Sequence, residues 1–180
     1  MGEGLQVKGS TLTTKLAFLR AQVGDATAAE AEKFLATHGI AAVLESLWYP
    51  YSTYDALLRW IADHCFGGEL KRLEEVGRFS AEAAHSSTYK GLVVSGDFPR
   101  YLKQLGVLHG RLYSLGRILV SPGVDGRSYT VRILDTPGFT EPAVRIVQGF
   151  YCGAARLHGL EGAQCDAVLE TDGASFALRW

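Results

Sequence analysis

Residues 129–138 read Tyr-Thr-Val-Arg-Ile-Leu-Asp-Thr-Pro-Gly, and the two meanings open to them lead to different folds. In a GTPase, a β-branched run that ends in Asp-Thr-Pro-Gly presents the aspartate and glycine that sense magnesium and the γ-phosphate. In an ordinary sheet it is a strand running into a turn, where Pro137 fixes φ and Gly138 accepts positive φ. The first meaning requires an upstream GxxxxGK[ST] loop, because glycine amides wrap the phosphates and the lysine neutralises them. None of Lys8, Lys15, Lys33, Lys71, Lys90 and Lys103 follows such a loop. The stretch is therefore a strand end at Asp135.

The pattern on either side of that strand is β. Ile118-Leu119-Val120 precedes it across Pro122-Gly123-Val124-Asp125-Gly126, which reads as two strands about a loop. Pro142 suits the first turn of a helix reaching about His158, with Val144, Val147, Tyr151 and Ala154 on one side. Ala163 to Glu170 and Ser175 to Trp180 read as strands joined by Thr171-Asp172-Gly173-Ala174, a hairpin signal.

Upstream the period is helical. Leu12, Leu16, Leu19 and Val23 form one stripe. Thr27 with Glu30 resembles a capping box opening a helix that Gly39 closes, and Ser52 with Asp55 offers the same signal. Tyr54, Leu57, Leu58, Ile61 and Cys65 then form a helical stripe stopped by Gly67-Gly68. Glu69 to about Lys90 reads as one helix with a small-residue stripe, Gly77, Ala81 and Ala84. Ser95-Gly96-Asp97 caps the next helix, whose stripe is Phe98, Leu102, Leu105, His109 and Leu112. The expected architecture is α/β in the α+β sense: N-terminal helices packed on a four-stranded antiparallel sheet, with a β-β-α-β-β C-terminal part. A chain of 180 residues is expected to form a single domain, 1–180.

Composition narrows the function. A net charge of -1 argues against nucleic acid as a partner. No apolar run approaches the ~18 residues of a membrane span, and no secretory signal is visible. Cys65, Cys152 and Cys165 are odd in number and widely spaced, which suits reduced thiols in a cytoplasmic protein.

The chain carries Val7-Lys8-Gly9, then Trp48-Tyr49-Pro50 followed by Tyr54, Leu57 and Leu58, then Gly77-Arg78 inside a helix, then Gly149 ahead of a final hairpin ending in Trp180. Together they resemble a bacterial domain family related to the superfamily of haem nitric-oxide/oxygen sensors, vinyl-reductase-type ligand domains and TRAPP transport subunits. The resemblance spans nearly the whole chain. It implies helices on an antiparallel sheet of about four strands, frequent dimers, and in several members a hydrophobic ligand between helices and sheet. It also implies haem ligation by a histidine on the helix before the sheet, where His109 falls. The Tyr-x-Ser-x-Arg motif that grips porphyrin carboxylates in those sensors has no match. Only Tyr113-Ser114-Leu115-Gly116-Arg117 stands near, with different spacing. The cysteine pattern of the vinyl-reductase type is also missing, since Cys165 has no partner cysteine in the last turn.

The candidate residues follow from these observations. On its helix's apolar stripe, His109 reads as a partly buried neutral imidazole with one backbone hydrogen bond, or alternatively as a haem ligand. His38, His64, His85 and His158 show neither i,i+4 pairing nor HExxH, and no zinc set is visible. Cys65 and Cys152 read as core residues, and no GxSxG elbow supports serine chemistry. Trp48, Tyr49, Tyr51, Tyr54 and Trp60 fall within 13 positions, more than one helical face can bury. Trp48, Tyr54 and Tyr51 are expected to fill core with the others scattered on the surface, and the alternative is an aromatic patch that lines a pocket mouth or a subunit contact. Arg100, Lys103 and Arg111 form a modest basic face, read as solvated. The expectation is a non-catalytic sensor or protein-interaction module in bacterial signalling. It acts as a homodimer, meets a signalling protein partner and takes a small hydrophobic ligand. No cofactor is expected in that reading; the alternative is a haem-based gas sensor using His109.

Overall fold

The first helix shows how the chain organises itself. Leu12, Leu16 and Leu19 recur at helical spacing and are all buried, which fixes the inner face of α1 (Gly9–Gln22). The computed structural model describes residues 4–86 and 97–180. Along them run β1 (Gln6–Lys8), α1, α2 (Asp25–Thr37), β2 (Trp48–Pro50) and α3 (Tyr51–Phe66). A 3-10 turn (Leu70–Arg72) leads into α4 (Leu73–Ser86), and α5 (Phe98–Leu102) and α6 (Leu105–Leu112) follow. The C-terminal part is β3 (Arg117–Pro122), β4 (Ser128–Leu134), α7 (Glu141–Leu157), β5 (Gln164–Glu170) and β6 (Gly173–Arg179).

The four long strands form one antiparallel sheet in the order β3-β4-β6-β5. Alternation sets its inner face. Val131 lies opposite Val120 and Phe176, and Ile133 lies opposite Ile118 and Ala174. The outer face carries charge: Arg132 donates to Glu170 at 2.9 Å, and Arg179 pairs with Asp166. The closing hairpin turns through Thr171 and Asp172. There Gly173 adopts φ +147°, and a Cβ would stand 1.9 Å from the Ile133 carbonyl oxygen, so only glycine fits.

Several boundaries differ from the sequence reading. Trp48–Pro50 is a strand, paired with Gln6–Lys8 in a two-stranded ribbon. Three-residue strands are too short for periodicity to reveal. Neither expected capping box forms: α2 starts at Asp25 after Gly24, and α3 starts directly after Pro50, so Thr27 and Ser52 are inside helices. Asp55 instead accepts from Arg59 at 2.9 Å and from Thr140 at 2.5 Å. Gly39 and Gly67 do end helices, at φ +81° and +61°. The helix expected from Glu69 onward begins as the 3-10 turn, and its last residues, 87–90, lie outside the described residues, as do Ser95 and Gly96. Asp97 caps α5, accepting from the Arg100 amide at 3.1 Å, and a break at Lys103-Gln104 separates α5 from α6.

Gly77 and Ala81 of the small-residue stripe on α4 meet a second such stripe on α7, formed by Gly149 and Gly153. A Cβ at Gly77 would stand 2.1 Å from the Ile146 carbonyl oxygen, and one at Gly149 only 2.0 Å from that of Glu74. A Cβ at Gly153 would meet the Ala81 Cβ at 3.0 Å. Helices α4 and α7 therefore pack backbone to backbone within one chain, and these stripes offer nothing to a second subunit.

Candidate functional site

Away from that seam the helices stand apart. Helices α1, α4, α6 and α7 and the inner face of β3 and β4 enclose a cavity of about 870 Å3. Its apolar wall comes from Leu105, Leu108, Ile118, Ile133, Val147 and Phe150. Its polar wall comes from α1, where Thr11 and Lys15 sit one turn apart.

Lys15 is the unusual group. It falls three residues after Leu12 and four before Leu19, on the buried stripe of α1, and is only 3% exposed. Its Nζ donates to Ser80 Oγ at 3.0 Å and lies 5.8 Å from the centre of the Tyr54 ring. Ser80 spends its own proton on the Val76 carbonyl at 2.7 Å, so its oxygen can only accept from the lysine. An ammonium carries three N–H groups, and one acceptor satisfies one of them. Burial lowers Lys15 from the ordinary 10.5 to about 7. The Thr11 hydroxyl nearby is buried without a hydrogen-bond partner. Sequence reading does not single out Lys15, because a lysine on an apolar stripe reads as an interruption of it. The signal that could have found it is its spacing of three from Leu12 and four from Leu19.

His109, on α6, also lines the cavity and is 7% exposed. It differs from the other histidines. His38, His64, His85 and His158 each donate through Nδ1 to the carbonyl four residues earlier, at 2.6–3.0 Å. His109 donates through Nε2 to the Leu115 carbonyl at 2.9 Å, which leaves Nδ1 with the lone pair. Burial holds its pKa below the ordinary value, partly offset by that hydrogen bond, so the ring is neutral near pH 7. Tyr113 stacks on it at 4.8 Å, with its own hydroxyl pushed up to about 12 by burial. Arg117, at the end of the Tyr113–Arg117 run, faces away and pairs with Asp135 at 2.5 Å on the outside.

The five aromatics do not come together. Tyr54 lines the cavity. Tyr49 is buried and accepts from the Leu44 amide at 2.8 Å, and Tyr51 is buried against Phe139 and Thr140. Trp60 stacks on His64 at 4.2 Å, and Trp48, expected in the core, is partly exposed instead, because the alternation of β2 turns it outward, where it lies beneath Lys8 at 4.5 Å. Burial raises the thiols of Cys65, Cys152 and Cys165, which leaves them protonated and poor nucleophiles near pH 7. Among the described residues no histidine, cysteine and carboxylate group forms a metal cluster, and no helix is long and apolar enough to cross a membrane.

No family model and no curated protein matches the sequence. Solved structures do match. One is an H-NOX protein from S. oneidensis in the Fe(II)NO state, 14% identical, covering 96% of this chain and 98% of that one, with a TM-score of 0.72. Another, concerned with modulating haem redox potential through protein-induced porphyrin distortion, is 12% identical, covers 96% and 99%, and has a TM-score of 0.73. An Fe(II) unliganded H-NOX mutant from K. algicida is 12% identical over 96% and 95%, with a TM-score of 0.64. Across nearly its whole length, then, this chain has the α+β fold of the H-NOX, or haem NO/oxygen-binding, domains.

Proposed function

We propose that the chain is a non-catalytic ligand-binding sensor domain in bacterial signalling, working in the cytoplasm as one domain, with its ligand in the cavity between helices and sheet. The cavity carries this reading: about 870 Å3, apolar over most of its wall, with a few convergent polar groups. The matched fold supports it.

Haem is the occupant that the fold comparisons favour. One residue lining the cavity has the chemistry to hold it. A metal-ligating histidine donates its second nitrogen to a carbonyl or carboxylate, and His109 donates Nε2–H to Leu115 while keeping the Nδ1 lone pair. His109 would hold the iron, and Lys8, Lys15 and Arg111 are the cations lining the same cavity. A bound haem would supply an iron that takes a diatomic gas. The other occupant is a small hydrophobic molecule without metal. Absorbance of the purified protein, before and after haem addition, decides between them. A Soret band lost in His109→Gln supports the gas sensor. Absence of any band in wild type leaves the metal-free ligand. Neither an occupied nor a fillable cavity, by native mass spectrometry and ligand titration, would overturn the sensor reading.

Assembly as a homodimer and contact with a signalling protein belong to the same proposal. With the glycine stripes engaged inside the chain, exposed Leu44, Leu47 and Trp48, close together in sequence, are apolar residues left to support such a contact. Sedimentation equilibrium tests it. A mass that stays at one chain at tens of micromolar would remove the dimer.

A further inference from the structure

The cavity has an apolar body and a buried cation, and that combination specifies a ligand. We propose that Lys15 and Thr11 form an anion site that binds the carboxylate of an amphiphilic acid, its apolar part lying along α6 and α7. The inference rests on the cavity being a ligand site and adds the chemistry of the ligand's polar end.

Three observations carry it. First, Lys15 lines the cavity, is buried, and among the described residues bonds only Ser80 Oγ, whose proton is already committed to Val76. A buried ammonium with unfilled donors is costly, and a carboxylate supplies charge and acceptors at once. Second, the Thr11 hydroxyl, one helical turn away on the same wall, is buried and unbonded. Third, no carboxylate among the described residues pairs with Lys15. The other charged groups lining the cavity are Lys8, Glu45 and Arg111, with Tyr54, His109, Tyr113 and Tyr151 the remaining titratable ones. Glu45 accepts from Thr13 at 3.2 Å, and burial alone, with no neighbouring charge, sets the state of Lys15. The apolar wall beyond, Leu105, Leu108, Val147 and Phe150, offers nothing to a second charge on the ligand.

A carboxylate on an apolar body could be an aliphatic acid or the propionate edge of a porphyrin. Matched pairs of probes separate the site from its source. Titration calorimetry of the full chain just below neutral pH compares dodecanoate with dodecanol, and protoporphyrin with its dimethyl ester. We expect the acid of one pair to bind at least about tenfold tighter than its neutral partner, the usual worth of a charged hydrogen bond. The pair that shows the preference names the source. Lys15→Met should abolish that preference while still binding the neutral partner, and Thr11→Val should reduce it several-fold with Lys15 intact. Equal binding of acid and neutral forms by wild type, or a preference that survives in Lys15→Met, overturns the anion site but leaves the cavity reading standing. Failure of all four probes to bind overturns both.

Discussion

Two pairs of helices are built on opposite plans. Between α4 and α7 the chain uses Gly77, Gly149 and Gly153, and the backbones approach until a single added carbon has no room. Between α1 and α6 it uses leucines, Lys15 and His109, and the helices stand off around about 870 Å3 of space. One pair forms a seam and the other borders a chamber. Small residues draw helices into direct backbone contact, whereas long side chains with polar tips keep them apart and leave their own ends exposed to a guest. The seam therefore supplies rigidity, and the chamber is where binding can occur.

The largest expected effect breaks the seam. Gly149→Ala places its Cβ 2.0 Å from the Glu74 carbonyl oxygen, so α7 must move off α4. We expect a loss of about 3 kcal/mol or more in urea unfolding. A loss below ~1 kcal/mol would mean that the seam is as yielding as the chamber.

Next in size is the titration of the chamber's lysine. Lys15 has a folded value of about 7, against 10.5 for an ordinary lysine. Between those limits the unfolded chain binds more protons than the folded one, so stability rises with pH, by up to roughly 1.4 kcal/mol per unit. The window closes near pH ~10, where unfolded tyrosines ionise while Tyr113, pushed up to about 12, does not, and the slope reverses. Lys15→Met should remove the rise between about pH 7 and 9 and stabilise the protein most at the acid end of that range. An unchanged slope in this variant would assign it to another group.

A smaller contrast comes from paired substitutions on one helix. Ala81 meets Gly153 in the seam, while Ala84, one turn on, lines the chamber. Ala81→Leu should cost about 2 kcal/mol by overpacking. Ala84→Leu should change stability by less than ~1 kcal/mol while reducing the cavity and weakening every ligand. Equal costs at the two positions would erase the distinction. The smallest effect is at the end of β4. Asp135→Asn removes an exposed pair with Arg117 at a residue of φ 58°, a conformation that asparagine tolerates. Stability should move by no more than ~0.5 kcal/mol, and neither form should bind GTP.

The seam is more legible in the sequence than the chamber, for a physical reason. Gly77, Ala81, Gly149 and Gly153 announce close approach by size alone, although not whether the approach lies within a chain or between two. The sheet is legible from alternation in Tyr129–Leu134 and from Asp172-Gly173 at the last turn. The chamber depends on what a side chain faces. Lys15 is hidden because composition alone gives a lysine to solvent, and only its register with Leu12 and Leu19 says otherwise. The aromatics Trp48 to Trp60 mislead in the opposite direction. Their nearness along the chain suggests one patch, whereas the strand at Trp48–Pro50 and the helix after it send them to separate places.

The ribbon of β1 and β2 matters in time as well as in space. Val7 pairs with Tyr49 and bridges Tyr113, and the Gln6 amide donates to Ser114 across 108 residues. The hairpins β3–β4 and β5–β6 close over a few residues, while the chamber's rim closes only when the two ends of the helical region meet. Loop closure of that span is entropically late, so the chamber should be the last part of the molecule to form and the first to open. Val7→Ala should then speed unfolding and leave the refolding rate almost unchanged in stopped-flow measurements. A guest would thus gain entry through the least persistent junction of the fold, without disturbing the glycine seam.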